Sequence, residues 1–147
     1  MYFADGVGLA APQVGRSLRI FVIDAGSGSK EDPSLKDFRK VFINPRIVEY
    51  SGNPVIFEEG CLSLPDIHEN VTRPDTVRII YQDENFQEND ETYHGFVARI
   101  IQHEYDHLEG KLFIDYLTPL KRKLLRGKLT NITKGLVKTH YTLKLPS

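Results

Sequence analysis

The segment that most constrains this chain is His103-Glu104-Tyr105-Asp106-His107, preceded by Val97-Ala98-Arg99-Ile100-Ile101-Gln102. Two histidines four residues apart share one face only on a helix, where they stand one turn from each other. Imidazoles at that spacing can grip one metal ion, and Glu104 beside them can reach a water that the metal activates. A helix carrying two surface histidines by accident needs nothing further from the chain. A metal centre needs a third ligand.

Downstream of the helix the ligands run out. The metzincin spacing requires a third histidine at position 113, which is Phe113, and no Asp or Glu follows Asp115 to serve a gluzincin-type site. His140 is the one imidazole beyond His107. Upstream, the candidates are Cys61, His68 and His94. Cys61 is the best of these, because Glu59-Gly60-Cys61-Leu62-Ser63-Leu64-Pro65 fits neither a regular strand nor a helix and its glycine lets the backbone carry a thiolate toward a helix. A thiolate with two imidazoles suits Fe2+, Zn2+, Co2+ or Ni2+. Against this, a lone cysteine is more often an inert buried thiol, and His68 and His94 taken singly read as surface or structural histidines.

A chain of 147 residues is long enough for one domain with its own core, and 40% apolar with 27% charged residues describes a globular protein. It contains no apolar run of the ~20 residues that a membrane helix needs and no signal-peptide pattern. Its single cysteine precludes an internal disulfide, which favours a reducing cytoplasm. The net charge of −1 hides an asymmetry, since every acid lies at or before Asp115 and eight Lys and Arg follow it. A basic tail on an acidic body suits a polyanionic partner, or else is a solvated helix whose lysines confer solubility.

The local pattern predicts an α+β fold, antiparallel strands around the metal-motif helix, with a C-terminal helix and a final strand. Residues 1–4 read as the last turn of a helix ended by Asp5-Gly6, and Gly6 to Gly15 as a small-residue loop carrying Gln13. The loop matches the dinucleotide fingerprint G-x-G-x-x-A, but no strand precedes it and Pro12 and Gly15 oppose the required helix, so no nucleotide cofactor is expected. Strands are expected at Leu18–Asp24, Val41–Ile43, Ile47–Tyr50 and Val55–Glu58, with breaks at Asn44-Pro45 and Ser51–Pro54. Gly26–Ser34 reads as a flexible loop, and Val77–Gln82 and Glu91–His94 as an antiparallel pair. The motif helix spans Phe96–Leu108, closed by Gly110; a second begins at Thr118-Pro119 with the apolar stripe Leu120, Leu124, Leu125, Leu129 and Ile132. Val137–Leu145 is the expected final strand.

Three segments, Gly6-Val7-Gly8-Leu9-Ala10-Ala11-Pro12-Gln13, Glu59-Gly60-Cys61-Leu62-Ser63 and Gln102-His103-Glu104-Tyr105-Asp106-His107, resemble the signature motifs of peptide deformylases, in the family's order and at family-like separations. The similarity extends over essentially the whole chain. The resemblance implies removal of the formyl group from the formyl-methionine of nascent bacterial or organellar proteins. It implies that Cys61, His103 and His107 are the metal ligands, with Fe2+ the ion in vivo and Zn2+, Ni2+ or Co2+ as substitutes. It makes Glu104 the general base and has the Gln13 amide and the Leu62 N–H hold the oxyanion. It also implies an ion pair between Asp106 and Arg73. The family begins several tens of residues before the glycine loop, so the resemblance implies a single catalytic domain, 1–147, lacking its N-terminal part.

Ile100 and Phe96 stand three and seven residues before His103, on or near the metal-facing side of the helix, and form an apolar wall suited to a methionine side chain. Val7, Leu62 and Phe57 extend that wall, or are plain core. The peptide backbone is expected to pair by strand addition with Gly6-Val7-Gly8 and with the segment around Gly60. Glu59 is expected to accept a hydrogen bond from a ligand histidine. The basic tail, Lys121 to Lys128, offers a contact to ribosomal RNA. Two other readings compete: a metalloprotease of another family, which would cleave unformylated peptides, and an inactive metal-binding or ribosome-associated module, which would need neither Glu104 nor Gln13.

Overall fold

The computed structural model describes residue 1 and residues 6–144. Five strands, β1 (Gly8–Ala10), β2 (Ile20–Asp24), β3 (Arg39–Cys61), β4 (Leu64–Gln82) and β5 (Glu88–His94), form one antiparallel sheet in chain order, so no crossover connection is needed. Helix α1 (Gly95–Leu108) follows β5 directly, and α2 (Pro119–Thr133) closes the described fold. The expected α+β class holds, with α1 at its centre.

The strand boundaries differ from expectation in an instructive way. Both predicted breaks in β3 are irregularities inside one ribbon, with register shifts between Ile43 and Arg46, Ile47 and Glu49, and Ser51 and Pro54. Asn44 takes a left-handed φ of 49°, which asparagine tolerates, and Pro54 faces Pro74 across the ladder. The irregular Glu59–Pro65 stretch divides: Cys61 ends β3, Leu62 and Ser63 turn, and Leu64 opens β4. The glycine loop is partly strand, since Gly8–Ala10 pairs with Phe21–Ile23 before a 3-10 turn at Ala11–Val14. Gly26–Ser34 holds 3-10 turns rather than a featureless loop. The expected final strand is absent from residues 137–144, whose alternating pattern pairs with no sheet edge; Leu145 and the expected helical turn at 2–4 lie outside the described residues.

Helix α1 is held by burial on two sides. Val97, Ala98, Ile100 and Ile101 pack on Phe21, Phe42, Val77 and Ile79 of the sheet, each large side chain worth ~1.5–3 kcal/mol. A second cluster, including Leu64, Ile67, Val71 and Phe113, gathers with Leu125 and Ile132 of α2. The helix stops where Gly110 adopts φ 71° and the Lys111 N–H returns to the Asp106 carbonyl. Thr118 caps α2 by accepting from the Lys121 N–H, with Pro119 as its first residue, as predicted. Of the predicted stripe, Leu125 and Ile132 are buried and Leu129 packs beside them, while Leu120 and Leu124 face solvent.

Candidate metal centre

Helix α1 presents His103 and His107 with ring centroids 5.1 Å apart. The end of β3 delivers Cys61 to them, its Sγ 3.3 Å from His107 Nε2. The donor atoms of all three lie within 4.8 Å of one another, close enough for one ion to draw them together into bonds of about 2.0–2.3 Å. The other histidines do not join them. His94 precedes α1 and meets Thr76 at 3.0 Å, while His68 and His140 line the cleft beside the centre. Phe113, where a metzincin ligand would stand, stacks on the His103 ring at 6.1 Å.

His103 Nδ1 lies 3.0 Å from Glu59 Oε2. A carboxylate can only accept, so Nδ1 carries a hydrogen and Nε2 is the ring nitrogen left to face Cys61 and an ion. Glu59 also receives Arg73 Nε at 2.6 Å, Arg73 Nη2 at 3.0 Å and Arg99 Nη1 at 3.0 Å. Arg73 reaches on to Asp106 at 2.8 Å, and Asp106 accepts from the Tyr116 hydroxyl at 2.9 Å. The predicted Arg73–Asp106 pair is thus one arm of a buried network. Burial alone would raise the Glu59 carboxyl, but the bonds from His103 and Arg73 hold it at about 2.

Burial also works against the Cys61 thiolate, yet hydrogen bonds with His103 and His107 bring the thiol down to about 6. Glu104 moves the other way, pushed up to about 7 by burial although both histidines oppose it. Its Oε2 is buried and has no hydrogen-bond partner among the described residues. Its carboxylate lies against Gly8, where an added Cβ would come within 2.7 Å of Glu104 Cδ. A thiolate and two imidazoles beside an orphaned buried carboxylate oxygen fit a catalytic divalent transition ion.

Gln13 donates to Ser63 Oγ at 3.2 Å and toward Cys61 Sγ at 3.6 Å, its own Oε1 fixed by the Ala10 N–H at 2.9 Å. Its amide therefore faces the turn that follows Cys61. A cavity of about 550 Å³ opens there; Val7, Gly8, Phe57, Gly60, Leu62, Phe96 and Ile100 all border it, with Gln13, Cys61, His103 and Glu104. Sequence reasoning missed Arg99, Ser63, Tyr116 and Tyr141, whose hydroxyl donates to the Leu62 carbonyl at 2.8 Å. Arg99 had a legible signal, a cation one turn before His103 inside the apolar run Val97–Ile101. The others are isolated polar residues with no pattern to mark them.

Residues 1–123 match the profile of the family described as polypeptide deformylase. The chain belongs to this family. The peptide deformylase of Christiangramia forsetii is 49% identical over 100% of this chain and 79% of its own length. That of Cytophaga hutchinsonii is 50% identical over 97% of this chain and 77% of its own. A crystal structure of peptide deformylase from Plasmodium falciparum superposes with a TM-score of 0.80 at 41% identity, covering 97% of this chain and 80% of that one. A point mutant of peptide deformylase 1B from Arabidopsis thaliana gives 0.80 at 38% identity, with 92% and 71% covered. Peptide deformylases are metal-dependent, and the Cys61, His103 and His107 group is a candidate site for the ion. No described helix is long and apolar enough to cross a membrane.

Proposed function

We propose that the chain hydrolyses the formyl amide of N-terminal formyl-methionine on nascent proteins, releasing formate, with the residues at the end of β3 and on α1 in the roles the family motifs imply. The observation that carries this reading is the unpartnered Glu104 carboxylate beside Cys61, His103 and His107 at the foot of an apolar-walled cleft.

Cys61, His103 and His107 hold a divalent ion, which when bound acidifies water and polarises a carbonyl. Fe2+ is the favoured ion in the cell, and Zn2+, Ni2+ or Co2+ suit the same donors. Glu104 takes a proton from the attacking water, its affinity for that proton raised by burial. The Gln13 amide and the Leu62 N–H donate to the formyl oxygen as it gains charge. A bond forms between the water oxygen and the formyl carbon, the carbon–nitrogen bond breaks, and Glu104 returns the proton to the departing amine.

Phe57, Phe96 and Ile100, with Val7 and Leu62, take the methionine side chain. Two strand edges are open to the peptide backbone: β1 is an edge of the sheet, and β3 from Pro54 to Cys61 pairs with β4 alone. These edges carry Gly8 and Gly60. The reaction belongs where formylated chains are made, in a bacterial cytoplasm or an organelle. Exposed Arg122, Lys123 and Arg126 on α2 offer a cationic face to ribosomal RNA, and salt-sensitive cosedimentation with ribosomes tests it.

Formate release from an N-formyl-methionyl peptide, by protein purified anaerobically with its metal measured, tests the whole. Glu104→Gln should retain the ion and lose turnover; unchanged turnover would remove Glu104 as the base. Cleavage of unformylated peptides would favour a protease instead.

A further inference from the structure

The family profile ends at residue 123, and the tail beyond it returns to the cleft. After α2 ends at Thr133 the chain runs without regular structure through residue 144, and Val137 packs on the cluster that contains Leu64, Ile67 and Phe113. Lys138, Thr139, His140 and Tyr141 then line the same cavity as Cys61, His103 and Glu104. No sheet pairing holds this segment. Its polar fastening to the site is the Tyr141 hydroxyl, which donates to the Leu62 carbonyl at 2.8 Å, on the turn joining β3 to β4.

We propose that Lys138–Tyr141 is a strap forming the part of the cleft wall that touches the peptide residues following the methionine, with Tyr141 the positioning residue that holds the strap to the Leu62 turn. The proposal rests on the deformylase reading. A cavity of about 550 Å³ is on the scale that encloses a whole drug-sized ligand, so it has room for more than one formylated residue. Its apolar wall of Phe57, Phe96 and Ile100 suits the methionine. The strap adds different chemistry, with Lys138 and His140 exposed and Thr139 half-buried, polar side chains suited to the amides of a continuing main chain.

Tyr141→Phe removes the fastening hydroxyl and keeps the ring. On N-formyl-methionyl-alanyl-serine its KM should rise about fivefold, the worth of one neutral hydrogen bond, with kcat within about twofold of wild type. On N-formyl-methionine amide, too short to reach the strap, the rise in KM should be smaller than on the tripeptide. A Lys138→Ala/His140→Ala double variant, with the fastening intact, should show the same dependence on peptide length. Unchanged KM on both substrates in both variants would overturn the proposal, as would equal losses on both substrates. Calorimetric affinities for methionine amide and methionyl-alanyl-serine keep the two readings apart. If wild type releases no formate, the deformylase reading fails by itself, and an affinity ratio unaltered by Tyr141→Phe overturns the strap.

Discussion

The ring of His103 is held by Glu59 at 3.0 Å, and the same carboxylate compensates two buried guanidinium groups, Arg73 at 2.6 Å and Arg99 at 3.0 Å. Orientation of a candidate ligand and neutralisation of the core beneath it therefore depend on one side chain. Glu59→Gln keeps the shape but removes the charge and one acceptor. Metal affinity should fall about 10–100-fold, read by competition with a chromophoric chelator. Glu59→Ala leaves Arg99 without a carboxylate partner and Arg73 with Asp106 alone, and should cost about 3–5 kcal/mol in urea unfolding. A Gln variant with wild-type metal affinity would show that Glu59 serves the fold alone.

Gly8 is needed because Glu104 lies on it. An alanine Cβ there would stand 2.7 Å from both Glu104 Cδ and Cγ, so the buried carboxylate must move. The strand itself tolerates alanine. Gly8→Ala should retain bound metal and circular dichroism while kcat for formate release drops about a hundredfold, the low end of what a positioned base contributes. Wild-type kcat in this variant would mean that Glu104 need not sit where it does.

The readable parts of the chain were the local ones. Helix α1 and its two histidines, the Gly110 stop and the Thr118-Pro119 start are all written within a few neighbouring residues. The long ribbon of β3 and β4 was not, because Asn44-Pro45 and Pro54 look like strand ends unless the partner strand is known to accommodate them. Arg99 illustrates the same limit at the site. Its three acceptors, Glu59 Oε1, the Val71 carbonyl and the Val55 carbonyl, come from two strands folded beneath the helix. Leu120 and Leu124 show the converse, since their periodicity is genuine but the neighbouring elements cover only the Leu125 and Ile132 side of α2.

Two apolar residues of the cleft should respond differently to truncation. Phe57 is 49% exposed and meets Phe96 with ring centroids 6.3 Å apart, whereas Ile100 is 3% exposed and belongs to the main core. Phe57→Ala should raise KM for formyl-methionyl peptides roughly tenfold through lost apolar contact, with kcat nearly unchanged. Ile100→Ala should instead destabilise by about 2–5 kcal/mol in urea. A Phe57→Ala enzyme with wild-type KM would remove Phe57 from the methionine wall.

Outside the lining of the cleft, Lys40 ties three strands together by donating to Glu91 at 2.8 Å, Tyr93 at 2.9 Å and Tyr81 at 3.1 Å. Burial pulls the Lys40 ammonium down, but Glu91 and Tyr81 outweigh it and raise it above its ordinary value of 10.5. Burial likewise pushes Glu91 up, and its bonds from Lys40, Tyr81 and Tyr93 hold it below the ordinary 4.5. The signs follow from linkage. The Glu91 contribution is present above 4.5 and is lost as pH falls through its lowered folded value; the Lys40 contribution is full below 10.5 and is lost as pH rises through its raised one. Both side chains are about one-third exposed, so solvent screening limits the pair to about 1 kcal/mol. Glu91→Gln should therefore lower the urea midpoint at pH 7, and its difference from wild type should shrink as pH falls below 4.5. A difference that stays constant into acid would show that the carboxylate charge adds nothing beyond its hydrogen bonds.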